Sequence, residues 1–498
     1  QHGLDLSTTL AKHFVDLVHE ILGFPRHLSQ HVGGFVISSG PLHELVPVEN
    51  AAMVDRTVIQ WDKEDLQTLG LLKVDVLALG MLSAISKSFK MLNNHYGHDY
   101  TIADITRYGD DPQVFSDISR ADTIGIFQIE SRAQMSMLPR LKPQCYYDLV
   151  VQIAIVRPGP IQGDMVHPFL KRRNGQEPVT YPSKAVEEVL SRTMGVPIFQ
   201  EQVIKLAMVA AGFSGGEADQ LRRAMAAWKK SGELMQFKNK LITGMQNRGY
   251  STAYAEQIFA QICGFGEYGF PESHSASFAV LAYVSAWLKY YYPAFFYCSL
   301  LNSLPMGFYS ASQLCQDAKR HHVIILPICI NHSNYDHSVC ESKGQYVIRL
   351  GLRLIKGLRA NIAHALIIQR PQGGYTSCAQ LQNLGHGQSA IAALASANAL
   401  HAFTDGRYSA RWEIMNKETE LPLFKNIENN NVSDNVQKSL IAPVGEATEI
   451  DDLVEDYQAI GLTLNKHLIS LLDESGRLPR FTRARDLIHL QHKSWVKV

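Results

Sequence analysis

Residues 70–80, GLLKVDVLALG, place one base and one acid inside an otherwise apolar segment that reads as a β-strand. Lys73 and Asp75 are two residues apart, so on a strand they project from one face, while Val74 and Val76 project from the other. Isolated charges in an apolar strand are costly unless they are paired or bind something. This pair is therefore the first candidate for a functional site.

Two interpretations of the pair follow from its chemistry. A carboxylate beside an ammonium suits a metal-bound phosphate, because Mg²⁺ prefers hard oxygen ligands and lysine neutralises a phosphate as a point charge. The alternative is an ion pair that closes a buried strand. Lys73 and Asp75 alone leave both interpretations open.

Three more motifs follow along the chain: IVRPGP at 155–160, IFQEQ at 198–202 and YGFPESHSASF at 268–278. With the Lys73 and Asp75 strand, they resemble the C-family bacterial DNA polymerases, which include the replicative DNA polymerase III alpha subunit and its error-prone DnaE-type relatives. The resemblance runs from about residue 24 to about residue 408 and returns at residues 454–464.

Other segments resemble the error-prone branch rather than the replicative one. They are QHVGGFVIS at 30–38, PVEN at 47–50, IQWDK at 59–63 and the Pro271-Glu272 pair. The resemblance therefore implies a polymerase of the error-prone DnaE type.

The charge distribution indicates a phosphate-binding segment, although the net charge does not. The 498 residues carry a formal net charge of zero. Residues 157–248 hold fourteen Lys and Arg against eight Asp and Glu, so this segment should attract phosphates. Arg222 and Arg223 lie about one helical turn beyond Asp219, so an internal salt bridge explains them as well as a DNA contact does.

The cysteines and the longest apolar stretch favour a soluble, cytoplasmic protein. Seven cysteines without a Cys-x-x-Cys pair indicate reduced thiols. Residues 278–301 are apolar but contain Lys289 and several tyrosines, which predicts a buried helix rather than a membrane span. We therefore expect no membrane partner.

The hydrophobic pattern predicts a mixed, mainly α fold. The resemblance implies a partial α/β palm, a large helical fingers domain and a helix-hairpin-helix module, in a chain truncated before an OB-fold. The expected domains, in order, are the end of a thumb (1–25), the C-terminal part of the palm (26–85), fingers (86–340), the helix-hairpin-helix DNA-binding module (341–412), a linker (413–450) and a connector toward the OB-fold (451–498).

Two carboxylates that the family uses are expected to be missing. In the family, the palm takes two further catalytic aspartates from a strand upstream of the thumb. No Asp-x-Asp strand motif precedes Asp75. The chain starts at Gln1 within a helical pattern and stops at Val498 within an incipient strand, so both ends look cut. We therefore expect a C-terminal fragment that is inactive alone.

The resemblance assigns roles to the pair on the predicted strand. Asp75 would be a catalytic residue and a ligand of Mg²⁺, and Lys73 would face the phosphates. DNA synthesis joins a primer 3'-hydroxyl to the α-phosphate of a nucleotide, and two Mg²⁺ ions stabilise the attacking and leaving oxygens.

Arg157 is expected to bind the nucleotide. It precedes Pro158-Gly159-Pro160, a rigid turn that would fix its guanidinium for bidentate contact with triphosphate oxygens. The alternative is an arginine that caps a helix or pairs with Asp164.

Ser273 and His274 are expected to bind the nucleotide as well. They stand where a long helix is predicted to begin, and helix N-terminal amides and short hydroxyls bind phosphate readily. The alternative is that Ser275 is the N-cap and that His274 packs on Tyr268.

Residues 354–370 resemble a helix-hairpin-helix. The segment LIKGLR at 354–359 would form a glycine turn between two helices, and such a turn binds DNA by aiming backbone amides at a phosphate. The expected DNA-binding residues are Lys356, Gly357 and Arg359. Arg359 stands where a second glycine is expected, which either weakens the amide contact or replaces it with a guanidinium contact.

These expectations combine into one function. The resemblance implies template-directed DNA synthesis from dNTPs on a primed DNA template with Mg²⁺, in damage-induced mutagenesis and translesion synthesis. A sliding clamp or mutagenesis accessory proteins would be indirect partners, and we find no convincing clamp-binding peptide. The alternatives are a non-catalytic DNA-binding fragment and a helix-hairpin-helix repair scaffold; the scaffold leaves Lys73, Asp75 and Arg157 unexplained.

Overall fold

The computed structural model describes residues 8–24, 33–51, 55–61, 63–97, 99–107, 109–156, 166–226, 233–265, 270–306, 309–415, 447–478, 482, 484–490 and 495–496. The chain divides into two compact units, Gln1–Leu79 and Gly80–Val498. Each unit is described by itself below.

The first unit alternates short strands with short helices. Its elements are α1 (Thr9–Ile21), β1 (Gly34–Ile37), β2 (Val48–Asn50), β3 (Thr57–Ile59), α2 (Lys63–Thr68) and β4 (Leu72–Asp75). Helix α1 begins after Thr8, whose hydroxyl accepts a hydrogen bond from the backbone N–H of Ala11 at 3.3 Å, because a threonine oxygen can satisfy a first-turn amide.

The strands of this unit form two antiparallel pairs, β1 with β4 and β2 with β3. The short β-rich runs between residues 31 and 80 predict one small mixed sheet, and that prediction is wrong for the described strands. In the β1–β4 pair, Val36 lies opposite Lys73 and Gly34 lies opposite Asp75. Position 33, directly before β1, requires glycine because the backbone that follows β4 approaches it closely. A Cβ at this position would lie 2.3 Å from the carbonyl oxygen of Val76.

The second unit is mainly helical, which confirms the predicted fold class at that level. Its helices are α3 (Leu79–Tyr96), α4 (Ile102–Arg107), α5 (Pro112–Ser119), α6 (Arg132–Leu141), α7 (Tyr146–Ile155), α8 (Val166–Arg173), α9 (Lys184–Leu190), α10 (Gln200–Ala211), α11 (Gly215–Ala226), α12 (Glu233–Asn247), α13 (Thr252–Phe265), α14 (Glu272–Tyr291), α15 (Pro293–Leu301), α16 (Ala311–Arg320), α17 (Ala360–Ile368), α18 (Cys378–Asn383), α19 (Gln388–Ser396), α20 (Arg407–Met415), α21 (Glu449–Ala459) and α22 (Leu468–Glu474).

The centre of this unit is the packing of α14 against α7. Both helices are apolar around most of their circumference, which is typical of helices that are buried on all sides. Residues 148–155 of α7 are buried without exception. These two helices therefore provide a rigid base for the residues at their ends.

The apolar stretch at 278–301 is not one helix, as we predicted, but parts of two. Helix α14 ends at Tyr291 and α15 begins at Pro293, because proline lacks the N–H that a continuous helix requires and its ring clashes with the preceding turn. Among the described residues, no helix is long and apolar enough to cross a membrane.

A three-stranded sheet and a helical module follow. Strand β7 (Gln345–Arg349) pairs in parallel with β5 (Ile325–Leu326) and antiparallel with β6 (Ser338–Ser342). Helices α17 to α20 come next. The predicted hairpin consists of a short 3-10 helix (Leu352–Leu354), the turn at Gly357 and α17. Residues 416–446, which make up most of the predicted linker, lie outside the described residues.

Candidate functional site

Lys73 and Asp75 form an ion pair on β4. The Lys73 ammonium lies 2.5 Å from the Asp75 carboxylate, as expected for side chains on one face of a strand. The ion pair of the alternative interpretation is therefore present, but its side chains are 24% and 41% exposed and the strand that carries it is not buried. A partly exposed carboxylate beside an ammonium has the donor chemistry that Mg²⁺ and a phosphate require.

Arg157 and the Pro-Gly-Pro turn after it lie outside the described residues. The helix that leads to them is firmly held. Gln152 of α7 donates a hydrogen bond to the side chain of Gln134 on α6 at 2.6 Å, and Gln134 donates to the carbonyl of Val156 at 3.4 Å. The residue before Arg157 is thereby tied to the helical core.

Ser273 and His274 lie in the first turn of α14, which begins at Glu272 after Pro271 as the N-cap. Ser275 is not the N-cap, so that part of the alternative is wrong. It lies inside the helix, where it is fully buried and its hydroxyl finds no partner among the described residues. Proline at the N-cap fixes where the helix starts.

His274 is held between two aromatic rings. Its ring centroid lies 5.2 Å from that of Phe270 and 4.1 Å from that of Phe278. Burial lowers the pKa of the His274 imidazole, because desolvation disfavours the charged form. His274 is therefore an oriented, neutral hydrogen-bonding group beside the exposed Ser273.

The start of α14 is joined to the start of α10. Phe199 and Phe270 form a parallel bridge, and the N–H of Gln200 donates to the carbonyl of Phe270 at 3.1 Å. In return, the N–H of Glu272 donates to the carboxylate of Glu201 at 3.0 Å. Two helix N-termini, each with a partial positive charge, thus lie side by side.

The carboxylate of Glu272 is held by two residues from distant parts of the chain. The Tyr147 hydroxyl donates to it at 3.0 Å, and an Nη1–H of Arg192 lies 3.4 Å from the same oxygen. The Arg192 guanidinium also lies 3.7 Å from the centre of the Tyr147 ring. Tyr147 and Arg192 were not predicted as site residues, because neither belongs to a local motif.

The predicted hairpin has its turn at Gly357, whose φ of +84° favours glycine. Arg359 is exposed and is the N-cap of α17, without a side-chain cap. Lys356 is engaged elsewhere: its ammonium donates to the carbonyl of Tyr457 at 2.9 Å, and its N–H donates to that of Ala459 at 2.9 Å. Lys356, Gly357 and Arg359 are all exposed at this turn, and the two hydrogen bonds of Lys356 also join it to α21.

Arg222 and Arg223 form the internal salt bridges that the sequence allowed. Their guanidinium groups lie 2.9 Å and 2.8 Å from the carboxylate of Asp219. Both side chains remain partly exposed, so these pairs stabilise the helix surface only weakly.

A buried lysine network was also missed by the sequence analysis. The Lys289 ammonium lies 2.9 Å from the Asp122 carboxylate and 3.1 Å from that of Asp317. His321 contacts Asp122 at 2.7 Å. Asp122, Asp317 and His321 have metal-ligand chemistry and spacing, but the ammonium lies between the two carboxylates. Burial raises the pKa of Asp122, but His321 and Lys289 together bring it well below its usual range.

Comparisons with known families agree with the resemblance seen in the sequence. Residues 1–78 match the family described as Bacterial DNA polymerase III alpha NTPase domain. Residues 81–249 match Bacterial DNA polymerase III alpha subunit finger domain. Residues 322–410 match Helix-hairpin-helix motif.

Curated relatives are similar over almost the whole chain. The chain is 64% identical over 497 residues to the error-prone DNA polymerase of Vibrio parahaemolyticus serotype O3:K6. The aligned region covers 100% of this chain and 48% of that protein. It is 54% identical over 492 residues to the error-prone DNA polymerase of Idiomarina loihiensis, with coverages of 98% and 46%. The chain thus spans about half the length of the curated relatives it matches.

Proposed function

Because this chain belongs to the bacterial DNA polymerase III alpha subunit family, in its error-prone branch, we propose that it takes part in template-directed DNA synthesis. The reaction transfers a nucleotide from a dNTP to a primer 3'-hydroxyl, across damaged template and in damage-induced mutagenesis. The observation that carries the proposal is the partly exposed Lys73–Asp75 pair on β4.

Asp75 is the residue we assign to a catalytic Mg²⁺. Its carboxylate is a hard oxygen donor, and 41% of its side chain is exposed, so the residues present fit that ion. When bound, Mg²⁺ would stabilise charge on the phosphate oxygens. Lys73, held 2.5 Å from Asp75, would place a positive charge beside an incoming phosphate and keep the carboxylate oriented.

Ser273 and His274 are the residues we assign to the triphosphate. They lie in the first turn of α14, where N–H groups point out of the helix toward an anion. The tilted ring contact of His274 with Phe278, at an interplanar angle of 49°, fixes the plane in which the imidazole can donate or accept a hydrogen bond. Arg157, which lies outside the described residues, would add a guanidinium to this site.

The exposed turn at Gly357 and Arg359 is the part we assign to duplex DNA. Such contacts address phosphates rather than base edges, so they would hold the template without reading its sequence. We place the protein in the cytoplasm, with a sliding clamp or mutagenesis accessory proteins as indirect partners. A second candidate function is DNA binding without catalysis, because Asp75 is the one palm carboxylate that the resemblance identifies in this chain.

Substitution of Asp75 in the whole protein tests the proposal. Asp75→Asn should abolish primer extension while affinity for primed template stays within a few fold, because the loss of one charged metal ligand removes transition-state stabilisation rather than DNA contacts. Glu44→Gln, an exposed acid of the same unit, is the matched control and should extend normally. Wild-type turnover by Asp75→Asn would remove Asp75 from the mechanism.

A further inference from the structure

We propose that Arg192 and Glu272 form a charge pair that positions the start of α14 and makes it receptive to a nucleotide triphosphate. Neither residue is assigned a direct contact with the reacting atoms, so both are positioning residues. The inference rests on the proposed nucleotide site at Ser273 and His274, and it adds a determinant of nucleotide affinity to that site.

Glu272 brings a negative charge to the place where phosphates are expected. It is the first residue of α14, directly before Ser273. A carboxylate at this position stabilises the helix, because it complements the partial positive charge of the N-terminus. The same carboxylate opposes a second anion at that end, since like charges repel strongly where solvent is partly excluded.

Arg192 compensates for that charge. Its Nη1 lies 3.4 Å from the Glu272 carboxylate, on the oxygen that also accepts from Tyr147. The guanidinium carbon lies over the Tyr147 ring, 3.7 Å from its centroid, a cation–π contact that fixes its position. The three residues come from α7, the turn after α9 and α14, so each holds the other two.

Groups that can bind phosphate are available on both sides of the Arg192–Glu272 pair. Glu201 already accepts the N–H of Glu272, but the N–H groups of Ser273 and His274 have no protein partner among the described residues. The side chain of Arg192 is 65% exposed, and Glu272 is its one charged partner in the described part of the chain. An arriving triphosphate would therefore meet two open amides beside a neutralised carboxylate.

The effect of each substitution on nucleotide affinity should depend on which charge of the pair it removes. Arg192→Gln leaves Glu272 uncompensated and should raise the Kd for dATP with Mg²⁺ about five- to tenfold, and added salt should reduce that effect. Arg192→Lys keeps the charge and should stay within about twofold of wild type. Glu272→Gln in the Arg192→Gln background should restore the affinity, because the repelling charge is gone.

The experiment is equilibrium binding of dATP with Mg²⁺ to the chain, by calorimetry, with thermal unfolding of each variant. Arg120→Gln is the matched control, because Arg120 is an exposed arginine paired with Asp117 in the same unit. If Arg192 and Glu272 only stabilised the fold, the result would be different. The variant with both Arg192→Gln and Glu272→Gln would then bind dATP no better than Arg192→Gln, and the loss of affinity would follow the loss of melting temperature. That result would overturn the charge-pair proposal.

His274→Ala separates this inference from the proposed function. If His274→Ala weakens dATP binding and Arg192→Gln does not, the charge pair has no role, but the nucleotide site stands. If neither substitution changes the Kd, the nucleotide binds elsewhere and the proposed site itself is wrong. A wild-type chain that binds no dATP would overturn both.

Discussion

The side-chain carboxylate of Glu201 accepts a hydrogen bond from the backbone N–H of Glu272 at 3.0 Å. A side chain of α10 thereby caps the start of α14, although 71 residues separate the two partners along the chain. The cap is placed beside Ser273 and His274, so the IFQEQ and YGFPESHSASF motifs meet in a single structural unit. Their functions should therefore be coupled.

Removal of this cap should destabilise the chain. Glu201→Ala leaves the Glu272 N–H without its acceptor and should lower the free energy of unfolding by about 1 kcal/mol. Glu201→Gln keeps an acceptor oxygen and should lose clearly less. Urea unfolding of both variants, with the exposed Glu188→Ala as a control, checks this. Equal losses in the two Glu201 variants would show that the charge, rather than the hydrogen bond, stabilises the helix start.

Primer extension by these 498 residues alone should give no product above background. Asp75 is the one palm carboxylate that the resemblance identifies in these residues, and a metal site with one of its expected carboxylates would forfeit several kcal/mol of electrostatic stabilisation. Extension by the whole protein under the same conditions is the positive control. Mg²⁺-dependent product from this chain would show that another acid completes the site.

Glu130 should make the stability of the chain depend on pH. Burial raises the pKa of its carboxyl to about 7, against the lowering effect of hydrogen bonds from Tyr309 and Gly125. The unfolded pKa is about 4.3, so the folded state holds a proton that the unfolded state has lost. Stability should therefore fall as the pH rises from about 4.5 to about 7 and level off above it.

The variant Glu130→Gln isolates this effect because an amide does not ionise. Relative to wild type, the stability of Glu130→Gln should rise with pH, by at most about 4 kcal/mol above pH 7. Urea unfolding at pH 5 and pH 8 measures the difference, with Glu188→Gln as the control. A gain that is the same at both pH values would contradict the assignment.

Loss of the Lys289 ammonium should be among the most damaging single changes in the second unit. Lys289→Met leaves the carboxylates of Asp122 and Asp317 without their shared ammonium, with His321 as the base that remains beside both. The change should cost about 3–5 kcal/mol at neutral pH. The deficit should shrink under mildly acidic conditions, since protonation of the carboxylates removes the unpaired charge. Unfolding at pH 7.5 and pH 5, with the exposed Lys184→Met as control, tests both statements.

What the sequence predicts well is local. The alternation around Lys73 and Asp75 fixed which face of β4 they occupy, because side chains of a strand alternate with a period of two residues. The mainly helical nature of the second unit followed from its hydrophobic spacing. The break between α14 and α15 was not predicted. The apolar run at 278–301 was interpreted as one continuous helix although it contains Pro293.

What the sequence does not predict is which distant residues meet. Tyr147 and Arg192 lie 125 and 80 residues before Glu272, and Lys289 lies 167 residues after Asp122. Their contacts depend on how α7, α9 and α14 pack, which no local pattern encodes. Lys289 within the apolar helix α14 was the one sequence feature that indicated such a contact, since a buried charge requires a partner.

Arg359 should contribute to duplex DNA binding without sequence preference, because its exposed guanidinium at the Gly357 turn can address phosphates but no base edges. Arg359→Ala should weaken binding and flatten the dependence of log K on log salt by about one unit. Arg359→Gly should recover part of the affinity if a backbone amide can take the same phosphate.

Fluorescence anisotropy across a salt series measures these effects on the whole chain. Lys343→Asn is the matched control, because it removes one positive charge from the same module at a turn whose φ of +52° asparagine accepts. Unchanged affinity and unchanged salt slope in both Arg359 variants would mean that the hairpin has only the structural role indicated by the hydrogen bonds of Lys356. It would then be a structural joint that ties this turn to the carbonyls of Tyr457 and Ala459.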